Sequence, residues 1–152
     1  MPALSDAWKM SQEANYFLLS HIDEDFLDDK YSARTRTVRK QFTHIHNVRH
    51  RWLSHSAPKL VDFEKFDKRT EPTKDELLTA LEASGAAIAA FLDQIEEKDK
   101  VPSWKGNPAS FFGYIVAHEA HHRGLAMVSL RISGHKMPQE VIFGQWDWGK
   151  KR

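Results

Sequence analysis

Two histidines four residues apart are the first feature of this sequence that could do chemistry. They are His118 and His122, in the run His-Glu-Ala-His-His-Arg that spans residues 118–123. In an α-helix such residues lie on the same face one turn apart, which is the spacing at which two imidazoles bind one metal ion. Because two unpaired imidazoles buried together would be costly, we interpret the pair as metal ligands rather than as packing residues.

The helix that carries this pair is well marked in the sequence. Asn107 is a good N-cap and Pro108 suits the first helical position, so we predict a helix from Asn107 to Ile132. At about 100° per residue, one face of this helix is apolar apart from the histidine pair. Its members are Phe111, Tyr114, Ile115, His118, His122, Leu125, Ser129 and Ile132. The two histidines therefore occupy positions at which core residues would be expected.

A third ligand would have to come from another helix, and an earlier segment is dense in histidine. We predict a second helix from Ser32 to about Ser56. His44 and His46 lie about 100° to either side of its apolar centre, while His50 points mostly away. Helical phase alone leaves both His44 and His46 open as the third ligand.

Composition narrows the chemistry and the expected setting. The chain has 152 residues, with 22 Lys and Arg against 21 Asp and Glu, and it has no Cys. Any metal must therefore be held by histidine, carboxylate or water. A formal net charge of +1 gives no general argument for binding nucleic acid or an anionic membrane. No secretion signal or apolar run of membrane-spanning length is evident, so we expect a cytoplasmic protein with no nucleic acid or membrane partner.

Two further helices are predicted by the spacing of apolar residues. The first helix runs from Leu4 to about Phe26, and His21 continues its apolar row, so we expect this histidine to pack inside or to support a metal ligand rather than to bind the metal itself. The third helix follows a capping box formed by Thr73 and Glu76 and runs to Ile95. No alternation typical of β-strands competes with these helices.

The connections between the predicted helices set the expected topology. We expect short connections between helices one and two and between helices three and four, and a long one, residues 57–72, between helices two and three. Phe63 and Phe66 are expected to pin the long connection, and a tail with Trp146 and Trp148 to pack over the helices. These features predict an all-α protein, a four-helix bundle with a long crossover between helices 2 and 3, with residues 1–152 as one domain.

Two stretches of the chain together resemble a known family. Residues 41–49 (Gln-Phe-Thr-His-Ile-His-Asn-Val-Arg) and 118–124 (His-Glu-Ala-His-His-Arg-Gly) are similar to the marked stretches of the DinB/YfiT-like metal-dependent superfamily. The resemblance covers essentially the whole chain. In that family one histidine of helix two and a His-x-x-x-His pair of the later helix hold the metal. The resemblance therefore implies the ligands His44, His118 and His122, and it decides in favour of His44 the choice that helical phase leaves open.

The resemblance also implies a chemistry for the site. Three neutral imidazoles leave a Zn²⁺-like ion at least one further position, as in catalytic sites. Relatives include S-transferases that use thiols such as bacillithiol, mycothiol or glutathione. The resemblance thus implies a divalent metal, zinc or nickel first, that activates a low-molecular-weight thiol, or water in a hydrolase, toward a small-molecule substrate. Because dimers are common in bundle families of this kind, a homodimer is a further expectation.

Five side chains close to these ligands in sequence are candidates for supporting the metal site or contacting substrate. Glu119 lies about 100° from His118, so we expect it to support a ligand at most. The two arginines could orient an anionic substrate group, and pairing at the surface is the equal alternative. The five are Glu119, His46, His121, Arg123 and Arg49.

Two other classes of function fit parts of the pattern. Residues 118–122 satisfy His-Glu-x-x-His, the signature of zinc peptidases in which the glutamate is the general base. The extended form of that signature needs a histidine where this chain has Val128, and Glu140 is the nearby downstream carboxylate. The other alternative is a non-enzymatic metal-binding or stress-associated module.

Overall fold

Five α-helices and no β-strand are present in the computed structural model, which describes residues 2–149. The helices are α1 (Ala3–Ser20), α2 (Val38–Ser56), α3 (Lys74–Ile95), α4 (Pro108–Ile132) and α5 (Gln139–Gly144), with 3-10 turns at Glu24–Phe26 and Pro58–Leu60. The prediction of an all-α protein is confirmed for this part of the chain.

Side-chain caps explain where three of the long helices begin. The Asn107 side chain accepts a hydrogen bond from the backbone N–H of Ser110, as expected for the cap of α4. Thr73 and Glu76 form the predicted capping box of α3. The N-cap of α2 is Thr37 rather than Ser32, and its hydroxyl accepts from the backbone N–H three residues later. The second helix is therefore shorter than predicted.

The prediction of a short connection between the first two helices is wrong. Because α1 ends at Ser20 rather than near Phe26, residues 21–37 form a connection as long as residues 57–73 between α2 and α3. His135, which follows α4, anchors this connection: its ring stacks on Phe26 at 3.7 Å and its Nδ1 lies 2.6 Å from Asp29. His21 is exposed at the end of α1, so the expectation that it packs inside is also wrong.

Two clusters of buried apolar side chains lie at opposite ends of the long helices. One contains Leu18 of α1, Phe42 of α2, Leu77 of α3 and Leu130 of α4. The other joins the opposite ends of the same four helices, and its large members include Trp8, Leu53, Phe91 and Phe111. It follows that α2 and α3 run parallel and that α1 and α4 run opposite to them. A long connection between α2 and α3 is required for this reason.

The long connection and the C-terminal tail both pack on the helices. Phe63 and Phe66 lie against the two apolar clusters, so the expectation that they pin residues 57–73 is confirmed. In the tail, Val141 of the unpredicted helix α5 is buried, but Trp146 is 75% exposed. The expectation that the tail packs over the helices is therefore met by α5 and not by Trp146.

Helix α3 also has a feature that the sequence analysis does not anticipate. It is long and apolar enough to cross a membrane by length and composition alone, and half of that stretch is buried within the helical assembly. The buried half of α3 packs mainly against α1 and α2, as expected of a core helix in a helical assembly. Small residues let its neighbours approach closely, and Gly85 is one of them, with the Gln12 side chain against its backbone.

Candidate metal centre

Three histidines from two helices meet between α2 and α4. His44 comes from α2, and His118 and His122 come from successive turns of α4. One ring nitrogen from each lies within 4.8 Å of the corresponding atoms of the other two. The ring centroids of His44 and His122 are 4.5 Å apart, and those of His118 and His122 are 4.6 Å apart. The structure thus brings together the three residues that the family resemblance indicates.

The distance between the imidazole nitrogens of His44 and His118 fits a tetrahedral metal. Nε2 of His44 and Nε2 of His118 are 3.3 Å apart. Two nitrogens bound to one tetrahedral Zn²⁺ at the usual bond length are separated by about 3.3 Å. These side chains therefore need little movement to bind one ion, and the chemistry of the donor set, three neutral nitrogens, suits Zn²⁺ or Ni²⁺.

Gln41 is a component of the site that the sequence analysis misses. It lies one turn before His44 in α2 and is buried, and its Oε1 lies 2.7 Å from Nδ1 of His122. Because an amide oxygen can only accept, Nδ1 must carry the proton, which leaves Nε2 of His122 free as a ligand. The i, i+3 spacing of Gln41 and His44 is the signal that could have found it, since both side chains then face α4.

Burial lowers the pKa of all three imidazoles. The pKa of His44 falls from 6.5 to about 4, first through burial and then through the positive charges of Arg36, His118 and Arg51. The pKa of His122 falls to about 3, first through burial and then through electrostatic repulsion from His44 and other basic neighbours. Burial also lowers the pKa of His118, against the opposing effect of Glu119. All three are consequently neutral near pH 7, the form that binds a metal.

The outer nitrogen of His118 lies in an apolar environment. Its Nδ1 is buried and has no hydrogen-bond partner among residues 2–149. The Tyr114 ring stacks beside it, with the ring centroids 5.9 Å apart. His118 is therefore held by packing, whereas His122 is held by a hydrogen bond.

Glu119 lies in the centre of the protein, bound to Arg49. The guanidinium donates to both carboxylate oxygens, with distances of 2.8 Å from Nε and 2.6 Å from Nη2, and the two side chains are 0% and 1% exposed. Asn15 of α1 donates a further hydrogen bond of 2.7 Å to the same carboxylate. Neither the proposed surface pairing of Arg49 nor its contact with a substrate anion is what the structure shows.

The remaining candidates are divided between the core and the surface. Arg123 is buried and donates to Asn15 at 2.6 Å, so it belongs to the same internal network as Arg49. His46 is buried against α3, where its two ring nitrogens contact Ser84 and the backbone carbonyl of Glu64. His121 is exposed, with its ring 5.0 Å from that of His122. Of the five supporting candidates, His121 is thus the one at the surface beside the histidine cluster.

The buried face of α4 is rotated relative to the predicted one. Glu119 and Arg123 are buried, while Ile132, which the apolar pattern places inside, is 64% exposed. The prediction is wrong at these positions because a hydrophobic pattern assigns charged residues to the surface, and it cannot anticipate that Arg49 neutralises Glu119. The rotation moves His118 and His122 from the centre of the buried face to its edge, where they face α2.

The peptidase alternative finds no support in this geometry. A general base needs an available carboxylate oxygen, and both oxygens of Glu119 are bound by Arg49. Glu140 is exposed in α5, whereas the side chain that joins the histidine pair is His44. The described residues also include no β-strand against which an extended peptide could pair.

Comparison with protein families gives a match over nearly the whole chain. The sequence profile of the DinB family matches residues 3–147. The chain therefore belongs to the DinB family. A comparison with curated proteins found no match.

Replacing Glu119 by glutamine should strongly destabilise the fold. The amide keeps the shape of the side chain but leaves the charge of Arg49 buried without its partner, so we expect a loss of about 3–5 kcal/mol in the free energy of unfolding. Urea denaturation measures this quantity. Glu82→Gln, an exposed change of the same kind on α3, should have almost no effect. Equal effects of the two substitutions would contradict the structural role of the ion pair.

The metal-free protein should lose stability in mild acid. In the folded chain the pKa is about 4 for His44 and about 3 for His122, below the ordinary value of 6.5. As the pH falls from about 6.5 toward these values, the unfolded chain therefore binds more protons than the folded chain. The contribution of these groups is constant above about pH 6.5 and becomes unfavourable below it. Burial lowers the pKa of His118 and of His46 in the same direction.

Urea denaturation of chelator-treated protein across this range tests the dependence on pH. His122→Asn should flatten the loss of stability, because asparagine takes up no proton. His55→Asn, at an exposed position of α2 whose charge contributes to none of these shifts, should leave it unchanged. If both variants retained the slope of the wild type, the burial of the His122 imidazole could not be its cause.

Proposed function

We propose that this protein is a metal-dependent enzyme of the DinB family, with a four-helix bundle whose His44, His118 and His122 bind one divalent ion. The observation that supports the proposal is the meeting of three neutral imidazoles from two helices, with two of their Nε2 atoms 3.3 Å apart. Zinc and nickel are the first candidates, because imidazole nitrogens suit both.

The proposed reaction is the transfer of a low-molecular-weight thiol to a small electrophile, with hydrolysis by water as the variant. A divalent ion in a three-histidine site lowers the pKa of a thiol or of water and so supplies a nucleophile at neutral pH. Other side chains of this protein would hold the three histidines in the orientation that binds the metal. Gln41 fixes the tautomer of His122, and the ion pair of Arg49 with Glu119 holds α2 and α4 in register.

Metal content tests the ligand set directly. Plasma mass spectrometry of protein purified without a histidine tag should find about one metal ion per chain in the wild type. His44→Ala and His122→Ala should lose it, because two imidazoles bind the ion far more weakly than three. His50→Ala on α2 and His121→Ala on α4 are the matched controls, and both should retain the metal.

The outcomes separate metal binding from catalysis. Retention of metal by His44→Ala would overturn the ligand set, and absence of metal from all samples after reconstitution would overturn the metal site. If the metal is bound, conjugation of glutathione to a fluorogenic small electrophile should depend on it and should be lost in His44→Ala. A loaded protein that neither conjugates thiols nor hydrolyses small esters would instead support the non-enzymatic alternative.

Gln41→Leu should weaken metal binding without removing a ligand. The substitution leaves Nδ1 of His122 without its acceptor, and loss of such a partner typically reduces metal affinity by about 10–100-fold. Competition with a chromophoric chelator measures the affinity. Gln41→Glu keeps an acceptor and should bind at least as well as the wild type, while Gln94→Leu, an exposed change on α3, should have no effect. Unchanged affinity in Gln41→Leu would show that Gln41 does not position the ligand.

A further inference from the structure

A cleft lined by basic side chains opens beside His44. It has a volume of about 360 Å³, which is within the range of small-molecule sites. Lys40, His44, Asn47 and Arg51 line one wall, and their spacing in α2 places them on one helical face. The other wall is formed by residues 66–68 and Thr70 of the connection between α2 and α3.

Hydrogen bonds to α2 fix the position of the opposite wall of the cleft. The Asn47 side chain donates to the backbone carbonyl of Phe66 and accepts from its backbone N–H, both at 2.9 Å. Phe66 also packs against one of the two apolar clusters. The cleft is thus a preformed feature, and ligand binding need not order the connection first.

The charge of this cleft differs from that of the protein as a whole. Arg36, Arg51 and Lys68 line it, and their side chains make no ion pair or hydrogen bond with any residue from 2 to 149. Lys40 forms an ion pair with Glu71, with 3.7 Å between Nζ and Oε1. Asp67 is the acidic residue of the lining. A local excess of positive charge in a chain of net charge +1 indicates recognition of an anion.

Two of these charges lie beside the histidine cluster. Arg36 and Arg51 line the same cleft as His44, which is one of the three histidines. Along α2, Lys40 is about 6 Å before His44 and Arg51 about 10 Å after it, as the helical rise requires. Cations therefore lie on both sides of the ligand that faces the cleft.

We propose that this cleft binds the thiol or the electrophile of the reaction through its oxyanions, as a small molecule that carries carboxylate or phosphate groups. The inference rests on the proposed function, because the cleft is assigned to the reaction through its contact with His44. Arg36 and Arg51 would supply the anion recognition that was one of two alternatives for Arg49 and Arg123, which the structure places in the core. The volume favours a small molecule over a nucleic acid strand.

Calorimetric titration with two small anions tests the cleft apart from the metal. The probes are tricarballylate, which carries carboxylates, and inorganic pyrophosphate, and the protein is the full chain after removal of metal by a chelator. The double variant Arg36→Glu with Arg51→Glu should bind the preferred probe about tenfold more weakly or worse, since it loses two charge-assisted contacts. Arg34→Glu with Arg131→Glu makes the same change in net charge at exposed positions outside the cleft and should differ by about twofold at most.

Each outcome of the titrations supports or overturns the binding of a small anion in the cleft. Binding of either probe with this pattern of variants supports the cleft, and the tighter probe distinguishes carboxylate from phosphate. Failure of both probes to bind, or equal weakening in the two double variants, would overturn it. Tighter binding of a single-stranded oligonucleotide, lost in Arg36→Glu with Arg51→Glu, would replace the small molecule by nucleic acid. Since the probes are tested without metal, a wild type that binds them but takes up no metal would refute the proposed function and not the cleft.

Discussion

The ion pair between Arg49 and Glu119 is the constraint on which the arrangement of α2 and α4 depends. Both side chains are buried between the two apolar clusters, and the guanidinium also contacts the Trp8 ring at 4.9 Å. A buried charge without its partner is strongly unfavourable, so these two helices must meet where the two residues oppose each other. Asn15 connects Glu119 to Arg123, and the network thereby includes α1.

The histidine cluster is a consequence of this register. Glu119 points to the core, so its neighbour His118 and the following His122 lie on the side of α4 that faces α2. His44 lies five residues before Arg49 and meets them there. The residues that fix the fold and those that form the site thus alternate along the same two helices, and a change in the ion pair would displace the ligands.

The arginines in α2 and just before it have different roles, depending on whether they are buried or exposed. Arg49 is enclosed and neutralised, and it holds the helices together. Arg36 and Arg51 are exposed, without an ion-pair partner in the described part of the chain, and they border a cleft that includes His44. An arginine in water can exchange its hydration for a ligand at small cost, whereas one that is already paired in the core cannot.

The sequence by itself determined the all-α class, the caps at Asn107 and Thr73 and, through the family resemblance, the three histidines that the structure brings together. It did not determine the length of the connection formed by residues 21–37, which face of α4 is buried, or the role of Gln41. Apolar periodicity and capping are local properties, so they can be inferred from neighbouring residues. Which charges are buried depends on a partner 70 positions away, as with Arg49 and Glu119, and only the packed tertiary structure identifies that partner.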